Sequence, residues 1–342
     1  MDQIMKAGEV GVMGSQAGLA ASGVAVRRKG ALRDYLAMAR FDHVTKHVFI
    51  IPGMILAYAL RDPSLNHSIM ALVIGFGSAI AIASANYVIN EWLDRHFDAF
   101  HPVKSGRTAV NAELYPSFVY IEYVLLAAVG LLLAFQLSAP FFYTSVLFLF
   151  SGLIYNVNPV RTKDRVYLDV ISESVNNPIR LMLGWTMIDP TTLPPSSLLL
   201  AYWMGGAFLM GAKRLSEYRD ISTDAGVGLL QRYRRSFKFY TAENLTVSCF
   251  LYAILSAFFI AIFLIKYRLE YIVALPSIAI LFALYLWLSL LKNSIAQRPE
   301  RLFRSRRLSI ALGAVILMLL LATFVDMPLL DYLSKPSFIS VK

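Results

Sequence analysis

Nine stretches of this 342-residue chain are apolar enough to fill the hydrocarbon core of a bilayer, and that fact leaves few folds open. A helix needs about 20 mostly apolar residues to cross. The runs fall at approximately 47–61, 68–92, 117–137, 139–157, 169–188, 196–213, 243–265, 271–291 and 308–327. The first is short and the fifth is polar for a span. Membrane strands would read as short alternating segments, whereas these runs are continuous, so helices are predicted. Composition agrees: 57% of residues are hydrophobic and 16% charged, against roughly 25% charged in an ordinary globular chain. The reading is an all-α integral membrane protein, a bundle of about nine transmembrane helices. The single cysteine, Cys249, excludes an intrachain disulfide and a cysteine metal site.

The charges give an orientation. With the N-terminus in the cytoplasm, 26 Lys and Arg fall on the cytoplasmic side and five on the other, with Arg180 inside the fifth span. Such asymmetry is the positive-inside signal. The net charge of +10 is thereby explained by topology and anionic membrane lipid, and nucleic acid is not needed as a partner. Residues 1–42 read as a cytoplasmic tail with an interfacial helix near 30–42, residues 43–330 as one transmembrane domain, and 331–342 as a short C-terminal tail. The expected location is the cell's inner (cytoplasmic) membrane, with the functional face towards the cytoplasm.

Polar residues inside a span are functional by default. The second span ends in Asn86, Asn90, Asp94 and Asp98, spaced by four and therefore on one helical face. Carboxylates and amide oxygens on one face suit Mg²⁺, which takes oxygen ligands and is commonly shared between carboxylates and substrate phosphates. The loop that follows carries Lys104 and Arg107 in His101-Pro102-Val103-Lys104-Ser105-Gly106-Arg107. Acid that holds metal beside base that holds phosphate describes a diphosphate site.

The segment Asn90-Glu91-Trp92-Leu93-Asp94-Arg95-His96-Phe97-Asp98 resembles the NDxxDxxxD motif of the UbiA superfamily of membrane prenyltransferases, and His101 to Arg107 resembles the family's HPxKxxRP continuation. The likeness extends over roughly 35–330, with two departures: Glu91 stands for the second Asp and Thr108 for the final Pro. It implies nine helices, Mg²⁺ held by Asn90, Asp94 and Asp98, and phosphate held by Lys104 and Arg107.

Family prenyltransferases usually carry a second Asp-rich motif after helix six. Here that segment reads Gly211-Ala212-Lys213-Arg214-Leu215-Ser216-Glu217-Tyr218-Arg219-Asp220. It resembles the Gly-Lys-Arg stretch of the branch that makes decaprenylphosphoryl-phosphoribose, as do Leu168-Asp169-Val170 and Tyr155. Cations at that place suit phosphate rather than metal. The resemblance implies phosphoribosyl transfer from phosphoribosyl diphosphate to a polyprenyl phosphate held by Lys213, Arg214, Arg180 and Tyr155. The alternative is transfer of a prenyl group from its diphosphate to an aromatic acceptor of the 4-hydroxybenzoate type, with Asp169 or Glu173 as base. A remote third reading is a Mg²⁺ transporter, which the Lys104 and Arg107 cations disfavour. In both transferase readings a polyprenyl lipid and a diphosphate-bearing co-substrate are the partners.

Overall fold

The computed structural model describes residues 28–61, 69–292, 294–297 and 305–334. The expected tail before residue 28 and the C-terminal segment from 335 lie outside the described residues. The chain is a multi-pass helical membrane protein. In order come β1 (Arg28–Lys29), α1 (Leu32–Met38), α2 (Ile51–Arg61), α3 (Ile69–Asp98), α4 (Thr108–Asn111), β2 (Ala112–Glu113), α5 (Pro116–Phe135), α6 (Ala139–Asn156), α7 (Leu168–Ser174), α8 (Asn176–Ile188), α9 (Ser196–Ala225), α10 (Val227–Tyr233), α11 (Ala242–Tyr267), α12 (Leu275–Ser289), α13 (Arg306–Phe324) and α14 (Pro328–Ser334).

Among the described residues, six helical segments are long and apolar enough to cross a bilayer: 69–98, 116–135, 139–156, 242–267, 269–289 and 306–324. The other three expected spans take different forms. A 3₁₀ segment, Phe41–Ile50, leads into the short α2. The span expected at 169–188 is divided at Val175 into α7 and α8. Pro178 explains the break, since it cannot donate to the Ser174 carbonyl one turn back. The span expected at 196–213 is only the first half of α9, which runs on to Ala225 and carries polar residues beyond the apolar part.

Packing is pairwise: α9 lies along α11, α3 along α5, and α2 along α8. The α2–α8 contact is backbone against backbone. A methyl group at Gly53 would overlap the Leu181 carbonyl, and one at Gly184 would overlap that of Ile50. Small residues permit such close approach in membrane bundles. Gly53→Ala and Gly184→Ala should each destabilise the domain by about 1–3 kcal/mol, the usual cost of overpacking. Unchanged melting of both variants in detergent would refute this account of the contact.

The N-terminal residues cover one end of the bundle. Arg28 and Lys29 pair in parallel with Ala112 and Glu113. Met38 and Ala39 pack on Val88, Trp92 and Ala109, while Leu32 and Leu36, one turn apart, face outward at 76% and 55% exposure. That amphipathic helix falls within the expected 30–42 stretch.

Candidate active site

The stripe on α3 ends where α6, α7, α9 and the loops between helices converge. Asn90 donates through Nδ2 to Asn156 Oδ1 at 2.5 Å. Asp94 Oδ1 accepts from Arg161 Nη2 at 2.9 Å and from Lys163 Nζ at 2.5 Å. Lys163 also donates to Asn156 Oδ1 at 2.7 Å, which closes a chain from Asn90 to Asp94. Asp98 pairs with Arg107. The structure therefore joins Asn90, Asp94, Asp98 and Arg107 to Arg161 and Lys163, two cations that enter the sequence reading only as topology charges.

Arg161 is held with φ at 28°. Non-glycine residues in this region are strained and persist only when their surroundings fix them. Asp94, Asp164 at 3.0 Å and the Asn156 carbonyl at 2.8 Å do so.

The loop carrying the phosphate-type cations is fixed from two sides. His101 Nδ1 accepts the backbone N–H groups of Val103 at 3.1 Å and Lys104 at 3.2 Å. Burial, and then the Lys104 charge, push its imidazole down to about 3, so it stays neutral and keeps that acceptor. Glu91 accepts the Ala109 N–H at 3.2 Å and pairs with Arg40 at 3.3 Å. The Glu at the family's second Asp position is thus a loop clamp that points away from the stripe. Lys104, Lys213, Glu217, Asp220 and Gln297 line a polar cavity of about 470 Å³ beside this loop. Burial lowers the Lys104 amine to about 7 against the opposing pull of Glu217; Arg234, Arg107 and Asp98 also bear on it.

The second constellation is organised differently from the sequence expectation. Arg214, 1% exposed, bonds three carboxylates: Glu173 at 2.5 Å, Glu217 at 3.3 Å and Asp169 at 3.4 Å. Asp169, wholly buried, also accepts Tyr240 Oη at 2.6 Å, Ser236 Oγ at 3.1 Å and Arg234 Nη1 at 3.4 Å. Tyr155 donates to Glu173 at 2.9 Å. Asp169 was expected as a base, yet both its oxygens are occupied by donors. It clasps the 234–240 segment to α7 and α9. Arg214 and Tyr155, expected on a substrate phosphate, are bonded instead to protein carboxylates. Arg180 is not part of this cluster and lies against Phe148 on α6, its guanidinium 5.1 Å from the ring. Arg234 is the main residue that sequence reasoning missed. Its signal, a cation in the polar loop after helix six, was hidden among loop cations counted only for topology.

Among the described residues no three His, Cys, Asp or Glu side chains surround one point as a metal cage. The stripe still fits Mg²⁺ in the form that ion prefers, with one or two carboxylates and the remaining positions left to water and substrate phosphate. Asp94 and Asp98 would be the carboxylates, and each already faces a cation that a diphosphate could accept in its place.

A family model described as the UbiA prenyltransferase family matches residues 48–311. No curated protein matches by sequence. A UbiA homologue from Archaeoglobus fulgidus bound to GPP and Mg²⁺ is 18% identical, with a TM-score of 0.62 over 85% of this chain and 100% of that one. A digeranylgeranylglyceryl phosphate synthase is 13% identical, with a TM-score of 0.57 over 85% of this chain and 96% of that one. A UbiA homologue from Aeropyrum pernix K1 is also 13% identical, with a TM-score of 0.57 over 81% and 98%.

Proposed function

Because the chain belongs to the UbiA prenyltransferase family, we propose that it is a Mg²⁺-dependent transferase that cleaves a carbon–diphosphate bond, and that it moves phosphoribose from phosphoribosyl diphosphate to a polyprenyl phosphate. The observation that carries the shared chemistry is the paired stripe: Asp94 with Arg161 and Lys163, Asp98 with Arg107. Asn90, Asp94 and Asp98 would hold Mg²⁺, as the A. fulgidus relative holds Mg²⁺ with GPP. Bound there, the ion supplies charge stabilisation for the departing diphosphate. Lys104, Arg107, Arg161 and Lys163 supply fixed positive charge at the same point, and preorganised charge of this kind is commonly the largest catalytic contribution. Residues 43–330 form this domain, with the N-terminus and the site on the cytoplasmic side of the inner membrane. Labelling of a cysteine at Ser105 by an impermeant reagent outside intact cells would contradict that orientation.

The subclass rests on the second constellation. Asp169, Glu173 and Glu217 are each ion-paired to Arg214, and Asp169 also to Arg234, so they are less open as an acid set for a second Mg²⁺. Transfer of a prenyl group to an aromatic acceptor is the second reading, favoured by relatives bound to GPP and DMAPP. Purified protein given radiolabelled phosphoribosyl diphosphate with polyprenyl phosphate, beside polyprenyl diphosphate with 4-hydroxybenzoate, separates the two. Product only in the second reaction would overturn the phosphoribosyl assignment.

Lys104 gives a pH prediction. An amine near 7 is charged below that pH and loses charge above it. Donor affinity should therefore fall as pH rises from about 7, by up to about tenfold per unit. Lys104→Arg keeps its charge and should hold affinity to higher pH. Superimposable profiles for the two proteins would remove Lys104 from donor binding.

A further inference from the structure

The polar cavity of about 470 Å³ beside the 101–107 loop is bordered by donors that no protein acceptor meets. His101, 7% exposed, is part of its wall. Its Nδ1 accepts two backbone N–H groups, so the neutral ring carries its proton on Nε2. That Nε2 is buried without a hydrogen-bond partner. Tyr233 stacks on the same ring at 4.5 Å, and its buried hydroxyl has no partner either. Lys104 lines the cavity, and among the described residues its amine forms no ion pair. Arg107, Arg161, Lys163, Arg214 and Arg234 each pair with a carboxylate. Buried donors ordinarily find acceptors. Two that have none, beside a cation without a counter-charge, point to an oxygen-rich anion.

The same cavity is also acidic. α9 brings Glu217 and Asp220 to it, one turn apart. Glu217 pairs with Arg214 through Oε2, and Asp220 accepts from Gln297 Nε2 at 2.6 Å. Carboxylates repel a phosphate but accept hydroxyl hydrogens. Groups for an anion and groups for hydroxyls in one cavity match a phosphorylated polyol. The loop that lines the cavity with His101 and Lys104 also carries Arg107, which pairs with Asp98 at the end of the stripe. One short loop thus borders two anion sites. A molecule with a diphosphate on one carbon and a phosphate on another can occupy both at once. The hydrocarbon of an allylic diphosphate would leave the polar groups of the cavity unpaired, which is costly.

We propose that this cavity binds the sugar-phosphate end of the donor: His101, Lys104 and Lys213 hold its phosphate, Glu217 and Asp220 accept its hydroxyl groups, and its diphosphate lies at the Asp94–Asp98 stripe. The inference rests on the phosphoribosyl reading and deepens it. It moves Lys213, which lines the cavity, from the acceptor to the donor. Lys104 stands on the shared loop, so its charge acts on both ends of the donor.

The probe is ribose 5-phosphate, which has the phosphate and the hydroxyls but no diphosphate. Its binding to the purified full chain in nanodiscs is measured by calorimetry, beside that of ribose and of inorganic diphosphate with Mg²⁺. Ribose 5-phosphate should bind without Mg²⁺, and about tenfold or more tighter than ribose, the scale of a hydrogen bond to a charged group. Lys104→Met should weaken it by about tenfold. His101→Asn keeps an acceptor for the loop N–H groups and loses the Nε2 donor. It should lower the affinity for ribose 5-phosphate relative to that for Mg²⁺–diphosphate, whereas a loosened loop would weaken both together. No binding of ribose 5-phosphate, or binding untouched in both variants, overturns the cavity assignment and leaves phosphoribosyl transfer to its own assay. Binding that requires Mg²⁺ and is lost in Glu217→Gln overturns it in favour of a metal in the cavity. A protein that turns over polyprenyl diphosphate and binds neither ribose 5-phosphate nor phosphoribosyl diphosphate overturns both readings.

Discussion

Asp94→Asn and Asp98→Asn should each lower kcat/KM by about 10³-fold or more while the protein still inserts and purifies. Two losses coincide in each variant. The carboxylate that would share Mg²⁺ with the diphosphate is gone, and charge stabilisation by a metal contributes several kcal/mol. The cations that the carboxylate pairs with also lose its opposing charge: Arg161 and Lys163 at Asp94, Arg107 at Asp98. Asparagine retains a hydrogen-bonding oxygen, so gross misplacement is not expected. Arg161→Gln separates the two contributions, because it removes a positioned cation and leaves both carboxylates. It should reduce turnover less than either Asp variant and leave the apparent Mg²⁺ affinity nearly unchanged. Near-normal activity of both Asp→Asn proteins at saturating Mg²⁺ would end the metal assignment.

The sequence carried the acidic stripe well, because a four-residue spacing on a helix places side chains on one face whatever surrounds it. The loop from His101 to Arg107 was equally legible through its motif. The partners of those residues were not. Arg161 and Lys163 lie 67 and 69 positions from Asp94, and only the packing of α6 beside α3 brings them together. Glu91 illustrates a finer limit. Its place in the motif suggests the metal site, yet its carboxylate turns to Ala109 and Arg40. Asp169 and Glu173 share a helix face as expected, but which of base, ligand or clasp they serve depends on Arg214, Arg234 and Tyr240 approaching from other segments. Hydropathy found the apolar spans and was weakest at 169–188, where Pro178 breaks the helix and the polar face serves interhelical bonding, as with Ser151 and Asn176 at 2.9 Å.

Arg214→Met should destabilise the protein by about 3–5 kcal/mol, the cost of breaking a buried ion pair and leaving its partners charged. As a ligand of the polyprenyl phosphate, the role the resemblance implies, Arg214 would on removal cost acceptor affinity rather than stability. The structure changes the expected outcome because Arg214 is 1% exposed and already bonds Asp169, Glu173 and Glu217. With the guanidinium removed, Asp169 still has Tyr240, Ser236 and Arg234, and Glu173 still has Tyr155. Glu217 is left worst off. Partial rescue should therefore come from neutralising carboxylates in turn: Glu217→Gln in the Arg214→Met background should recover more stability than Glu173→Gln, whose site is partly open to solvent. Coupling between residues in one network is commonly 0.5–3 kcal/mol, so the difference is measurable in a double-mutant cycle by denaturant or thermal unfolding. If Arg214→Met melts like the parent and loses only acceptor affinity, the clasp is wrong and Arg214 returns to the substrate phosphate.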